Sequence, residues 1–295
     1  MFATFTQAKG SACDPMTTSS FEAISPVPPV ADVGLPPVAQ SVVLGTPLAL
    51  TDYARVVEWI ETAVAARARA YLCVAAVHTV MEAREDAELR TAVHGAAFTV
   101  PDGQPLVWAL RALGQAISTR VYGPDLMARA CERAAATGQR QYLYGGRDDD
   151  ALALLTRNLR ERFPDLQIAG SWSPPFRELT ERELDEVAAR INLAQPDVVW
   201  VGIGVPKQEK WMAAMRARLD APVLVGVGAA FDFHAGLVPQ APAWLQRRGL
   251  EWAFRLVQEP RRLWRRYARH NPRFVAAFAR QWIGERLGQV ERGTR

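Results

Sequence analysis

Residues 197–231 read DVVWVGIGVPKQEKWMAAMRARLDAPVLVGVGAAF. An apolar run, DVVWVGIG, ends in glycines; a helical pattern opened by Pro206 follows, PKQEKWMAAMRARL; and a second apolar run, APVLVGVGAAF, closes the stretch. Proline suits the first position of a helix because its missing N–H would have no partner there. The stretch is therefore a strand, a helix and a strand, and its neighbours repeat the alternation. Upstream come strand YLCVAAV (71–77), a helix through HTVMEAREDAELRTAV, strand AFTV (97–100), a helix from Pro105 to about Leu113, and helix GPDLMARACERAAATG. Strand QYLYGG, helix ALALLTRNLRERF, strand LQIAGSW and helix TERELDEVAARINLA complete the series. Strands alternating with helices of ten to fifteen residues predict an α/β fold, a Rossmann-like, doubly wound, mostly parallel sheet.

Three segments follow from composition. Residues 1–44 include SPVPPVADVGLPPVAQ, too poor in core formers to pack alone, and are expected to be extended or disordered. Residues 45–246 hold the α/β domain. Residues 247–295 carry thirteen Arg against four Glu, about +9, and leave about −5 on the remainder of a chain whose formal net charge is +4. That polarity predicts an anionic partner for the tail. Trp252, Leu256 and Leu263 recur there at helical spacing between arginines. A basic amphipathic helix of this kind suits an anionic membrane surface; a terminal helix docked on the core is the plainer reading. Nucleic acid ranks below both and is not expected as a partner.

Other classes are excluded. No apolar run reaches the roughly 18 residues of a membrane span, and the N-terminus lacks a signal-peptide layout. Cys13, Cys73 and Cys131 show no pairing pattern, as expected of a reducing compartment. A cytoplasmic protein is expected. The four histidines have no ligand spacing, so no metal site is expected.

In a parallel sheet ligands gather beyond the carboxyl ends of the strands, which gives each motif an address. Asp102 follows AFTV in the stretch FTVPDGQPLVWAL, Gly145 and Gly146 follow QYLY, Gly202 and Gly204 end DVVWVGIG, and Asp232 follows GVGAAF. Gln208 and Glu209 open the next helix. Glycines there admit a phosphate to backbone N–H groups at a helix N-terminus, or simply make tight turns. Neither the P-loop nor the dinucleotide G-x-G-x-x-G spacing is present. Asp148, Asp149 and Asp150 complement a helix dipole. Asp102 reads as an ordinary turn residue before Gly103, or as a carboxylate placed to deprotonate a hydroxyl.

The ordered series PDGQPLVWALRALG, RVYGPDLM, YLYGG, VWVGIGVPKQEKWM, GVGAAFDFHAG and APAWLQRRGLEWAFRLVQEPRRLW resembles the WecG/TagA/CpsF glycosyltransferase family over residues of about 45 to 280. The resemblance implies transfer, with inversion, of a sugar from a UDP-sugar (glucose, N-acetylmannosamine or its uronic acid) to a polyprenyl-diphosphate-linked saccharide. The setting it implies is exopolysaccharide or envelope-polymer synthesis at the cytoplasmic face of the membrane, with no metal or other cofactor. It makes Asp102 the candidate general base, with Gly103 leaving room for a sugar. It places Arg120, Gly145, Gly146, Gly202, Gln208 and Asp232 around the nucleotide-sugar, and Arg255, Arg261, Arg262 and Arg265 toward the lipid diphosphate and membrane. Val74 and Ala76 stand where the family commonly carries Thr and Asn, so an apolar wall is expected beside the substrate. The alternative from another class is a noncatalytic nucleotide-sugar-binding or scaffold protein. Homo-oligomerisation is left open.

Overall fold

The computed structural model describes residues 35–293. It opens with an antiparallel hairpin, β1 (Gln40–Val43) and β2 (Thr46–Ala49). Leu35 and Val38 already pack against the core, so the folded unit begins before residue 45; residues 1–34 lie outside the described residues. Helix α1 (Tyr53–Ala65) leads into β3 (Ala70–Ala75), followed by α2 (Val77–Glu85), α3 (Ala87–His94), β4 (Phe98–Pro101), α4 (Gln104–Ala112) and α5 (Gly123–Thr137). Then come β5 (Arg140–Gly145), α6 (Asp149–Arg162), β6 (Gln167–Trp172), α7 (Glu181–Ala194), β7 (Val198–Gly202), α8 (Lys207–Met215) and β8 (Val223–Gly226). Short helices α9 (Ala230–His234), α10 (Ala243–Arg247) and α11 (Glu251–Gln258) precede the long α12 (Pro260–Gly293).

Strands β3 to β8 form one parallel sheet in the order β4-β3-β8-β7-β5-β6. The α/β, doubly wound expectation is met. Alternate residues of a strand face opposite sides: Leu72 and Val74 join α1, α5 and α6 in one core layer, while Tyr71 and Cys73 join α7 and α8 in the other. A third cluster holds the hairpin, α2, α4 and Phe274 of α12. After β3 the chain moves outward to β4, crosses to the far edge at β5 and β6, and returns through β7 to β8. The β3/β8 boundary is therefore the topological switch point, where the crossovers diverge and leave a crevice at the strand ends.

Two readings are corrected. The helix expected over 78–93 is two helices, because Asp86 ends α2 and its carboxylate accepts from the Leu89 N–H at 3.0 Å, capping α3. The strand expected to reach Phe231 stops at Gly226, and Phe231 lies on α9. The basic tail is a docked element. Arg269 and Arg273 of α12 pair with Glu85 of α2, and Gln281 bridges the hairpin by accepting from the Leu44 N–H at 2.8 Å and donating to the Val42 carbonyl at 2.9 Å. Trp282 Nε1 donates to the Ala112 carbonyl at 3.1 Å.

Candidate active site

A cavity of about 240 Å³ opens at the switch point. Its floor comes from the ends of β3, β4 and β8: Val74 and Ala76, Asp102 and Gly103, Val227 and Gly228. Gly204 and Gln208 enter from the β7 side, Arg120 and Tyr122 from the segment before α5, and the tail roofs it with Glu251, Arg255, Arg266, Tyr267 and His270.

Asp102 takes its place because β4 runs beside β3: its N–H donates to the Ala75 carbonyl at 2.8 Å, and Oδ1 accepts from the Gly123 N–H at 2.8 Å. The second observation fixes the side chain toward α5 rather than in a turn of its own. Burial pushes its carboxyl up to about 6; Arg120 pulls the other way, Glu251 adds to the rise, and the Gly123 N–H and Arg255 oppose it. A carboxylate with affinity for a proton near neutral pH is what base chemistry needs. Arg120, nearly buried, pairs with Glu251 and stacks over the Tyr122 ring at 4.5 Å. Arg255 stacks over Phe233 at 5.3 Å and its buried Nε has no hydrogen-bond partner. His78 is pushed down to about 3 by burial, then by Arg266, His270 and Arg255, and is neutral. The guanidiniums of Arg120, Arg255 and Arg266 and the neutral His78 imidazole thus line one cavity with the Asp102 carboxylate.

Gln208 is buried, with Nε2 donating to Glu209 Oε1 at 2.9 Å. Burial pushes the Glu209 carboxyl up to about 7 and the amide N–H pulls it down.

The structure brings Val74, Ala76, Asp102, Gly103, Arg120, Gln208 and Arg255 of the sequence-derived set into this cavity. The others lie elsewhere. Strand β5 is separated from β8 by β7, which holds Gly145 and Gly146 outside the lining. Gly145 has φ +129°, and a Cβ on it would stand 2.5 Å from the Gly202 carbonyl oxygen; a Cβ on Gly202 would meet the Phe231 ring at 2.6 Å. Both glycines permit close packing. Asp232 accepts from Arg147 Nε and Nη2 at 2.9 and 3.2 Å, outside the cavity. Arg261 and Arg265 are exposed, Arg265 lying over the Trp264 ring at 5.5 Å, and the Arg262 side chain is outside the described residues. Sequence reading placed Tyr122 at the site only as part of the segment RVYGPDLM, and it assigned no site role to His78, Glu251, Arg266 or His270. Glu251 with Arg255, and Arg266 with His270, are four apart, which places each pair on one helix face, and that spacing was the available signal.

The sequence model of the glycosyl transferase WecG/TagA/CpsF family matches residues 41–288. An N-acetylglucosaminyldiphosphoundecaprenol N-acetyl-beta-D-mannosaminyltransferase of Bacillus spizizenii is 31% identical over 196 residues, 66% of this chain and 73% of that protein. Proteins of the same name from Bacillus subtilis and Staphylococcus aureus are 33% and 28% identical, over 57% and 59% of this chain and 63% and 66% of their own lengths. The family match runs from the hairpin into α12 and includes every residue of the cavity, so the chain belongs to the WecG/TagA/CpsF glycosyl transferase family.

Proposed function

We propose that this protein is a UDP-sugar-dependent hexosyltransferase that transfers its sugar, with inversion, to a polyprenyl-diphosphate-linked saccharide in the synthesis of an exopolysaccharide or other envelope polymer. The observation that carries the reading is the proton-seeking carboxylate of Asp102 in a switch-point cavity roofed by arginines. Asp102 takes the proton of the acceptor hydroxyl as that oxygen bonds to the anomeric carbon. The bond from that carbon to the diphosphate breaks on the opposite face, and UDP leaves with the electron pair. Oriented cations stabilise such a leaving group most where water is excluded, and Arg255 and Arg266 on the roof suit that role, with Arg120 bordering the nucleotide-sugar. Gln208 offers an amide to the same ligand. The names of the relatives favour N-acetylmannosamine as donor sugar and an N-acetylglucosaminyl lipid diphosphate as acceptor.

With a lipid-linked acceptor and a UDP-sugar donor, the reading puts the enzyme at the inner face of the cytoplasmic membrane as a peripheral protein. Exposed Trp244, Trp252 and Trp264, with Arg248 and Arg265 stacked on two of them, support this. Among the described residues no helix is long and apolar enough to cross a membrane.

Release of UDP from UDP-N-acetylmannosamine, its uronic acid and UDP-glucose, with a polyprenyl-diphosphate N-acetylglucosamine acceptor, tests the reading. Asp102→Asn should lower kcat by about 10²–10⁴ with little change in KM, the usual contribution of a positioned base. Absence of turnover with every donor, in wild type and in Val74→Thr/Ala76→Asn, would defeat it. The apolar wall of Val74 and Ala76 favours one rival, a noncatalytic nucleotide-sugar binder, for which UDP binds and Asp102→Asn has no effect in cells.

A further inference from the structure

Arg120 lies between two carboxylates and is committed to one of them. Its Nη2 donates to Glu251 Oε2, with Gln246 Oε1 a longer acceptor at 3.4 Å, whereas toward Asp102 it reaches only the backbone carbonyl, through Nη1 at 3.5 Å. Arg120 makes its ion pair with Glu251 and none with the Asp102 carboxylate, whose Oδ1 is held by the Gly123 N–H. Glu251 is 6% exposed and begins α11, so this partner arrives with the tail and is present only when the tail is docked. The other groups that bear on Asp102 are Arg255, Tyr53, Tyr122 and Tyr267, and Arg266, His270 and the neutral His78 line the same cavity. The three phenols are raised by burial and neutral, and Arg255 is already stacked on Phe233. Arg120 is thus the cation best placed to neutralise the base, and Glu251 is what draws it aside.

We propose that Glu251 is a positioning residue: by holding the Arg120 guanidinium away from the Asp102 carboxylate, the docked tail keeps Asp102 able to accept a proton. With Glu251 neutral or withdrawn, Arg120 has one fixed anion left within reach, Asp102, and an Asp–Arg pair binds protons weakly. The tail then does more than cover the site, because its first turn sets the strength of the base. This rests on the reading of Asp102 as general base.

The test is a carboxyl ¹³C NMR titration of Asp102 in the full chain, assigned with Asp102→Asn, for wild type, Glu251→Gln and Glu251→Asp. Glu251→Gln should lower the Asp102 midpoint by about one pH unit or more, a tenfold or greater loss of proton affinity, and should lower it much less in an Arg120→Gln background, where only the direct repulsion between the two carboxylates is lost; equal shifts in both backgrounds overturn the assignment. Glu251→Asp, which keeps the charge and shortens the reach, should lower it less. The pH of half-maximal kcat/KM should fall with the NMR midpoint in Glu251→Gln. Superimposable titrations in both variants overturn the assignment, and so does activity that falls equally at every pH with no movement of the midpoint. No turnover by the wild type with any UDP-sugar would remove the proposed function, while the titration still decides the role of Glu251.

Discussion

Asp102 sits in surroundings that oppose its own ionisation, and this has two consequences of opposite sense. Its folded value of about 6 lies above the ordinary 3.8, so the folded protein binds the proton more tightly than the unfolded chain between those values. Stability therefore falls as pH rises from about 4 to about 6 and stays lowered above. Asp102→Asn relieves the penalty: at pH 7.5 the variant should be more stable than wild type by on the order of 2–3 kcal/mol, and at pH 4 the difference should fall below about 1 kcal/mol. Thermal melts at both pH values check this. In the proposed reaction the rate runs the other way, since a general base works only when ionised, and kcat/KM should rise with pH and level off above about 6. A midpoint near 4 in the pH–rate profile would contradict the description of the site. At this scale the acid itself was legible, an Asp between Pro101 and Gly103 at the end of an apolar strand. Its proton affinity was not, because that depends first on burial by the tertiary fold and then on Arg120, Glu251 and Arg255, 18 to 153 residues away in the chain.

The elements around the site are held by backbone approach and by an unusual buried cation. Gly202 at the end of β7 lies against the Phe231 ring, where a Cβ would fall 2.6 Å from the ring. Gly202→Ala should lower stability by about 1–3 kcal/mol, the cost of overpacking a close-packed interior, measured by denaturant unfolding; an unchanged midpoint would show that β7 and α9 are free to separate. Arg216, just after α8, is buried and donates to the carbonyls of Ala70, Leu219 and Ala221 at 3.0, 2.6 and 2.6 Å, tying the start of β3 to the turn before β8. Burial pushes it down to about 9. Element types were legible, since apolar runs and helical spacing are local patterns. The break at Asp86 was not, since its capping bond to Leu89 competes with a helix that the same residues equally favour.

On the surface of the tail Arg248 and Arg265 lie over the exposed rings of Trp244 and Trp264, while Glu251, Arg255, Arg266, Tyr267 and His270 of the same tail roof the cavity. Arg261 and Arg265 are on the exposed side. Arg261→Ala/Arg265→Ala should weaken binding to anionic vesicles by about 2 kcal/mol, roughly thirtyfold, at about 1 kcal/mol for each cation near the surface. The difference should shrink in high salt, where exposed charges are screened. Co-sedimentation that is equal for variant and wild type at low salt would place the contact elsewhere. By itself the sequence determined the alternation of strands and helices, the carboxylate at a strand end, and the basic, aromatic tail, because composition and periodicity are properties of neighbours in the chain. Only the tertiary structure decided the strand order that brings β3, β4 and β8 to one cavity and leaves Gly145 and Gly146 of β5 outside it. Only the structure turned Arg255 and Arg266 inward while Arg261 and Arg265 face out. The physical reason is the same in both cases: which strand ends meet, and which helix face is buried, follow from long crossovers and from packing among residues far apart in sequence, and local periodicity carries neither.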